Sequence, residues 1–146
     1  MSKVFEIGIA DNRSDKMLKV EAVEAIMGKG LINDRHFKEN NEKKNQVTLI
    51  EIENITYYNK ISKSDIKPID FRRNIITEGI NLNNLVNKKF SIGEVNLMGI
   101  DLCTPCKYLQ EKLKQSNFIK ELLLKGGLRC EVLSNGKIYN NDKIKF

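Results

Sequence analysis

Cys103 and Cys106 are separated by Thr104-Pro105, where an extended run, Gly99–Leu102, gives way to a segment with helical spacing. Thiols so placed can form half of a metal site, a redox pair, one reactive thiolate with a bystander, or ordinary core. For a metal, the inventory is Cys103, Cys106, Cys130 and the single histidine, His36, a Cys3His set by type. Only one pair of these lies close together, which is a weak zinc pattern. A thioredoxin-like pair needs a βαβ frame around it and a later proline facing the thiols. No such frame is legible, and no proline follows Pro105. A single thiolate fits Cys106 better. Proline is tolerated in a first helical turn, so a helix is expected to begin near Pro105. Unpaired N–H groups and the positive end of the dipole there favour the ionised thiol. Cys103, on the strand side, gains less, and Cys130 beside Arg129 reads as core.

The elements that must position these thiols are mostly short strands. Lys3–Ala10 and Met17–Met27 alternate and are expected to pair as a hairpin across the Asp11–Asp15 turn cluster. Gln46–Ile50 is β-rich, Glu51–Ile61 reads as a short helix, and residues 72–79 as a strand ending at Gly79. Residues 81–87 read as one helical turn. Phe90–Leu102 holds two strand runs broken at Ile92-Gly93-Glu94. Leu109, Leu113, Phe118, Ile119, Leu122 and Leu123 give helical spacing that Gly126-Gly127 stops. The tail reads as a hairpin, Leu128–Leu133 and Ile138 onward, joined by Ser134-Asn135-Gly136-Lys137. Strands in this number with few helices predict a mainly β fold, a closed or partly open barrel with peripheral helices, in one domain over residues 1–146.

The 146 residues are 40% hydrophobic and 30% charged, which excludes a disordered chain. The formal net charge of +6 suits an anionic ligand. Basic residues are scattered among acids, without a basic stripe carrying interleaved aromatics, so nucleic acid is not expected as the main partner. No apolar run approaches a membrane span, and the N-terminus lacks the apolar core of a signal peptide. The expectation is a cytoplasmic protein with reduced thiols and no membrane partner.

Several segments, in order, resemble one family. They are Gly30-Leu31 through Asp34-Arg35-His36, Gln46–Ile50, Phe71-Arg72-Arg73-Asn74-Ile75-Ile76-Thr77-Glu78-Gly79-Ile80, Ile92-Gly93-Glu94, Leu102–Cys106 and Gly126–Cys130. The chain resembles the MOSC domain, named for the C-terminal region of molybdenum-cofactor sulfurases. The resemblance implies a β-rich barrel that binds the molybdenum cofactor or a molybdopterin precursor, or that carries sulfur for it. It matches Cys106 to the family's characteristic cysteine, as catalytic thiol, persulfide site or molybdenum ligand. A molybdopterin is rich in anionic groups, and Arg72, Arg73 and Arg129 offer forked donors to them. His36 joins the expected pocket, with Gln46, Asn74 and Thr77 orienting the ligand. Strand alternation would send Arg72 and Arg73 to opposite faces, so at most one is expected in the pocket. No pyridoxal-phosphate desulfurase domain is present in these residues, so a cysteine desulfurase or a molybdoenzyme is the expected partner. Two alternatives stand beside this reading. One is a cysteine-dependent enzyme acting on a sulfur-containing or N-hydroxylated metabolite without molybdenum. The other is a zinc-stabilised interaction module.

Overall fold

The computed structural model describes residues 1–12, 16–103 and 124–146. The helix expected from Pro105, and Cys106 with it, lie outside the described residues. Among those described, β1 (Lys3–Ile9), β2 (Leu18–Val20), β3 (Ala22–Ile26), β4 (Gly30–Leu31), β5 (Val47–Glu51) and β6 (Ile75–Glu78) come first. They are followed by β7 (Lys89–Ile92), β8 (Val95–Leu102), β9 (Leu128–Val132), β10 (Gly136–Tyr139) and β11 (Ile144–Lys145). One α-helix, α1 (Ile52–Ser62), lies between β5 and β6.

Eight strands form one curled sheet in the order β11-β7-β8-β9-β5-β6-β1-β2, and β10-β3-β4 form a second. The larger sheet is a half-barrel rather than a closed one. It nearly closes at one end, where Val4 N–H donates to Asp142 O (2.9 Å) and Ile144 N–H to Ser2 O (3.0 Å). The expected hairpin is present over its first part, with Ile7 opposite Val20, but the run Met17–Met27 breaks at Glu21 and β3 joins the second sheet. The expected tail hairpin does not form. β9 pairs with β5 and β8, while β10 crosses to the other sheet and pairs with β3, Ile138 opposite Val23. Of the expected turn, only Ser134 and Asn135 lie outside strands; Gly136 and Lys137 already belong to β10, and partners elsewhere in the chain decide where each strand goes.

The sequence shows no βαβ frame, yet the structure has one parallel pair. β5 and β6 run side by side, Ile50 opposite Ile76, joined through α1. Alternation makes this pair the floor of two cores. Leu49 and Ile75 face the main cluster with Val4, Ile7, Leu97, Leu128 and Val132. Ile50 and Ile76 face the other way and pack with Ile55 and Tyr58 of α1 and with Phe71. Strands covered on both faces read as continuous apolar runs, and Leu49-Ile50 and Ile75-Ile76 are such runs. The Tyr58 and Phe71 rings meet edge to face, 6.0 Å between centroids, which fixes the 3-10 turn Pro68–Phe71 beneath the helix.

Candidate functional site

The chain that leaves the Pro68–Phe71 turn cannot enter β6 directly. Arg72 takes a left-handed backbone, φ 63°, with its N–H on Ile69 O, and the strand begins only at Ile75. Strand alternation therefore does not govern residues 72–73. Both arginines line one cleft of about 250 Å³, with Arg35, His36, Thr48, Cys103 and Arg129. This corrects the expectation that only one of Arg72 and Arg73 reaches the pocket. Arg72 is 3% exposed. Arg73 is steered by its Nε–H, which donates to Gly126 O at 2.9 Å.

The cleft wall is a row across three adjacent strands on the face opposite the main core. Asp101 of β8 stands opposite Arg129 of β9, and Arg129 opposite Thr48 of β5. A register shift between Gly99 and Asp101 re-aims the end of β8, as bulges do, and brings the Asp101 carboxylate onto the Arg129 guanidinium. Arg129 Nε–H donates to Asp101 Oδ1 at 2.6 Å and Nη2–H to Oδ2, a bidentate pair that fixes the plane of the guanidinium. Cys103 follows β8 with its N–H on Gly127 O (2.8 Å). Burial pushes its thiol above the ordinary cysteine value, Arg73 and Arg129 pull it back, and Asp101 adds to the rise.

The other wall is the loop after β4. Asp34, buried, accepts Ala10 N–H on Oδ1 (3.1 Å) and His36 N–H on Oδ2 (3.1 Å), with His36 Nδ1 3.3 Å from the same oxygen. Burial raises the Asp34 pKa, but these bonds outweigh it and hold the carboxyl below its ordinary value. Asp34 thus clamps the loop that presents Arg35 and His36. Arg35 N–H donates to Ala10 O (2.6 Å), and its Nη2 reaches Arg72 O at 3.4 Å.

Of the residues expected in the pocket, His36, Arg72, Arg73 and Arg129 are brought together. Gln46, Asn74 and Thr77 do not line the cleft. Asn74 is a latch between strands: its Oδ1 accepts Thr48 N–H and Thr48 Oγ1–H, and its Nδ2 donates to Gly8 O (3.2 Å). Gln46 Oε1 accepts Val132 N–H (2.9 Å), and Thr77 Oγ1 donates to Ile50 O (3.4 Å). Their polar groups are spent on backbone, so a ligand-orienting role does not fit their geometry. Reading residues by type missed Arg35, Thr48 and the cleft position of Cys103. Arg35 stands inside Asp34-Arg35-His36, and its place in that segment is the signal that would have found it.

The zinc set does not assemble among the described residues. Cys130 is fully buried in the main core, and burial raises its pKa well above the ordinary value. No group of three or more His, Cys, Asp or Glu side chains among the described residues is placed to hold a metal ion. No helix among them is long and apolar enough to cross a membrane.

A curled, mainly antiparallel half-barrel with one α-helix among the described residues is an architecture of the MOSC type. The chain belongs to the MOSC domain family, whose sequence pattern it matches over residues 33–145. That family is associated with molybdenum-cofactor sulfurase-like function. Among solved structures, the YuaD protein of Bacillus subtilis is similar at a TM-score of 0.82 and 20% identity, covering 99% of this chain and 94% of that one. YiiM from Geobacillus stearothermophilus is similar at a TM-score of 0.81 and 15% identity, covering 99% of this chain and 74% of that one. YiiM from Escherichia coli is similar at 0.73 and 16%, covering 99% and 69%. Likenesses at these identities speak to the fold. No curated protein matches the chain.

Proposed function

We propose that this protein binds the molybdenum cofactor, or a molybdopterin precursor, through the anionic groups of that ligand, and holds or carries sulfur for it on a cysteine. One observation carries the reading. Four arginines and a thiol, from four segments of the chain, converge on one cleft, where the Asp101 carboxylate is taken up by Arg129. The donor set fits the ligand: guanidinium forks match phosphate and other anionic oxygens, and a thiol is a soft ligand suited to molybdenum or to persulfide. Bound, the cofactor supplies a molybdenum centre and a dithiolene for redox or sulfur chemistry. The protein's own work is placement. Asp101 aims Arg129, Gly126 aims Arg73, and the left-handed backbone of Arg72 turns its side chain in beside them. Cys106 keeps the role of ligand or persulfide site that the family resemblance gives it. At about 250 Å³ the described cleft is smaller than most ligand sites, about 300–1,000 Å³, so it takes the anionic end of a pterin rather than the whole.

The test is retention. The full chain is mixed with molybdopterin released from a molybdoenzyme and desalted, and the pterin left is read by fluorescence after oxidation. Retention by the native chain, cut about tenfold or more by Arg73→Gln, is expected from the loss of one charged hydrogen-bonding group. No retention, or equal retention by both proteins, overturns the reading.

A further inference from the structure

Cys103 is the thiol that the described cleft holds, and the family resemblance, which names Cys106, gives it no role. Cys130 is the example of a thiol that merely packs: fully buried, within an apolar cluster. Cys103 is nearly as buried, at 6% exposed, yet its cleft neighbours are Arg35, Arg72, Arg73 and Arg129. Charges in that arrangement draw a small anion toward the sulfur. The cleft has room for a tetrahedral oxyanion bearing one further substituent.

We propose that Cys103 accepts sulfane sulfur from a small sulfur-bearing oxyanion of the thiosulfate class, held by the guanidinium groups of the cleft. The proposal rests on reading this cleft as the anion site of a sulfur carrier, and it names a donor that requires no partner protein. Cys103 Sγ attacks the terminal sulfur of thiosulfate and forms a new S–S bond. The bond between that sulfur and the SO3 group breaks, and its electron pair leaves with sulfite as the dianion. The thiol proton ends on the terminal sulfur of the persulfide. Atoms and charge balance without an external oxidant or reductant. The same arginines that bind the donor's oxygens meet the charge that gathers on departing sulfite, which is where preorganised donors act most strongly.

Attack of the same thiol on a phosphate ester is the competing chemistry, and it fits the cleft less well. An alkoxide leaving group needs a proton; Asp101 is committed through both oxygens to Arg129, so that chemistry would have to draw its proton from His36. Sulfite leaves without protonation.

The experiment uses the full, reduced chain and thiosulfate. Mass spectrometry of the protein and its fragments is expected to find one added sulfur on Cys103, matched by released sulfite. Cyanide is expected to remove that sulfur as thiocyanate. Arg73→Gln is expected to slow uptake about tenfold or more, inorganic phosphate to compete, and Cys103→Ser to abolish it. Localisation in the native chain stands even if the serine variant fails to fold. Sulfur found only on Cys106 or Cys130, no sulfur taken up, uptake unchanged by Arg73→Gln, or Cys103-dependent hydrolysis of p-nitrophenyl phosphate instead, each overturns the proposal. Pterin retained without sulfur uptake removes the donor alone and leaves cofactor binding intact. Loss of both removes the anion site itself.

Discussion

Burial and positive charge act on the Cys103 thiol in opposite directions. Burial favours the neutral form and wins, although Arg73 and Arg129 oppose it. The thiol is therefore mostly protonated near neutrality, and its thiolate grows as pH climbs past the ordinary cysteine value of about 8.5. The field it sits in is nevertheless that of a cation cluster. Iodoacetate and iodoacetamide, alike in size and opposed in charge, separate these two effects. Free thiols react faster with the neutral reagent. At Cys103 the anionic reagent is expected to be favoured, with the preference eroded by salt and by Arg73→Gln. Both rates are expected to keep rising at pH values where a free cysteine has levelled off. Peptide mass spectrometry over a pH series measures this, and a preference for iodoacetamide at low salt would contradict it. At the residue scale the sequence showed which types were present but not where they point. Arg72, Arg73, Arg129 and His36 were legible as a group. Asn74, Gln46 and Thr77 looked equally fit for a ligand, and only coordinates reveal that their hydrogen bonds go to Gly8, Val132 and Ile50.

Among the elements, the entry into β9 matters most to the cleft. Gly127 has φ +108°, and a Cβ there would run into the carbonyl oxygen of Leu49 on β5. Glycine is required on both counts. The same dipeptide holds the site together, since Gly126 O receives Arg73 Nε–H and Gly127 O receives Cys103 N–H. Gly127→Ala is expected to cost at least about 2 kcal/mol in urea unfolding, because both the backbone strain and the close approach must be relieved. Whatever folds should also show weakened anion binding, since Cys103 and Arg73 hang from the displaced segment. A variant as stable as the native chain would mean that this segment shifts freely. In the sequence Gly126-Gly127 reads as a helix stop and as the start of a segment resembling the family, with no sign of why glycine is needed there. Its packing against Leu49 brings together residues far apart in sequence, which local pattern does not carry. The tail failed for the same reason. Ser134-Asn135-Gly136-Lys137 has the chemistry of a hairpin turn, but β10 finds a better partner in β3, more than a hundred residues earlier.

For the molecule as a whole, a net charge of +6 means that any salt relieves some self-repulsion and raises stability a little. A built anion site adds a different term. A ligand that binds only the folded state stabilises it by mass action, about 2.7 kcal/mol at a hundred times its dissociation constant. The gain keeps rising with ligand concentration in a way set by one affinity. General screening depends on ionic strength and not on which anion supplies it. Thermal unfolding in phosphate, against chloride at matched ionic strength, therefore separates the two. Phosphate is expected to raise the midpoint of the native chain well beyond chloride. Arg73→Gln removes one unit of charge and one cleft donor together, so its tenfold weaker site should give about half the native phosphate stabilisation at a hundred times the native dissociation constant, about 1.4 kcal/mol, while keeping the general salt effect. The pairing of Asp101 with Arg129 leaves the cleft wall in place in that variant, so the comparison reports on binding rather than on collapse of the wall. Equal midpoints in phosphate and chloride for the native chain would mean that the clustered arginines do not act as one site. Their convergence would then be a consequence of the MOSC fold and not its use.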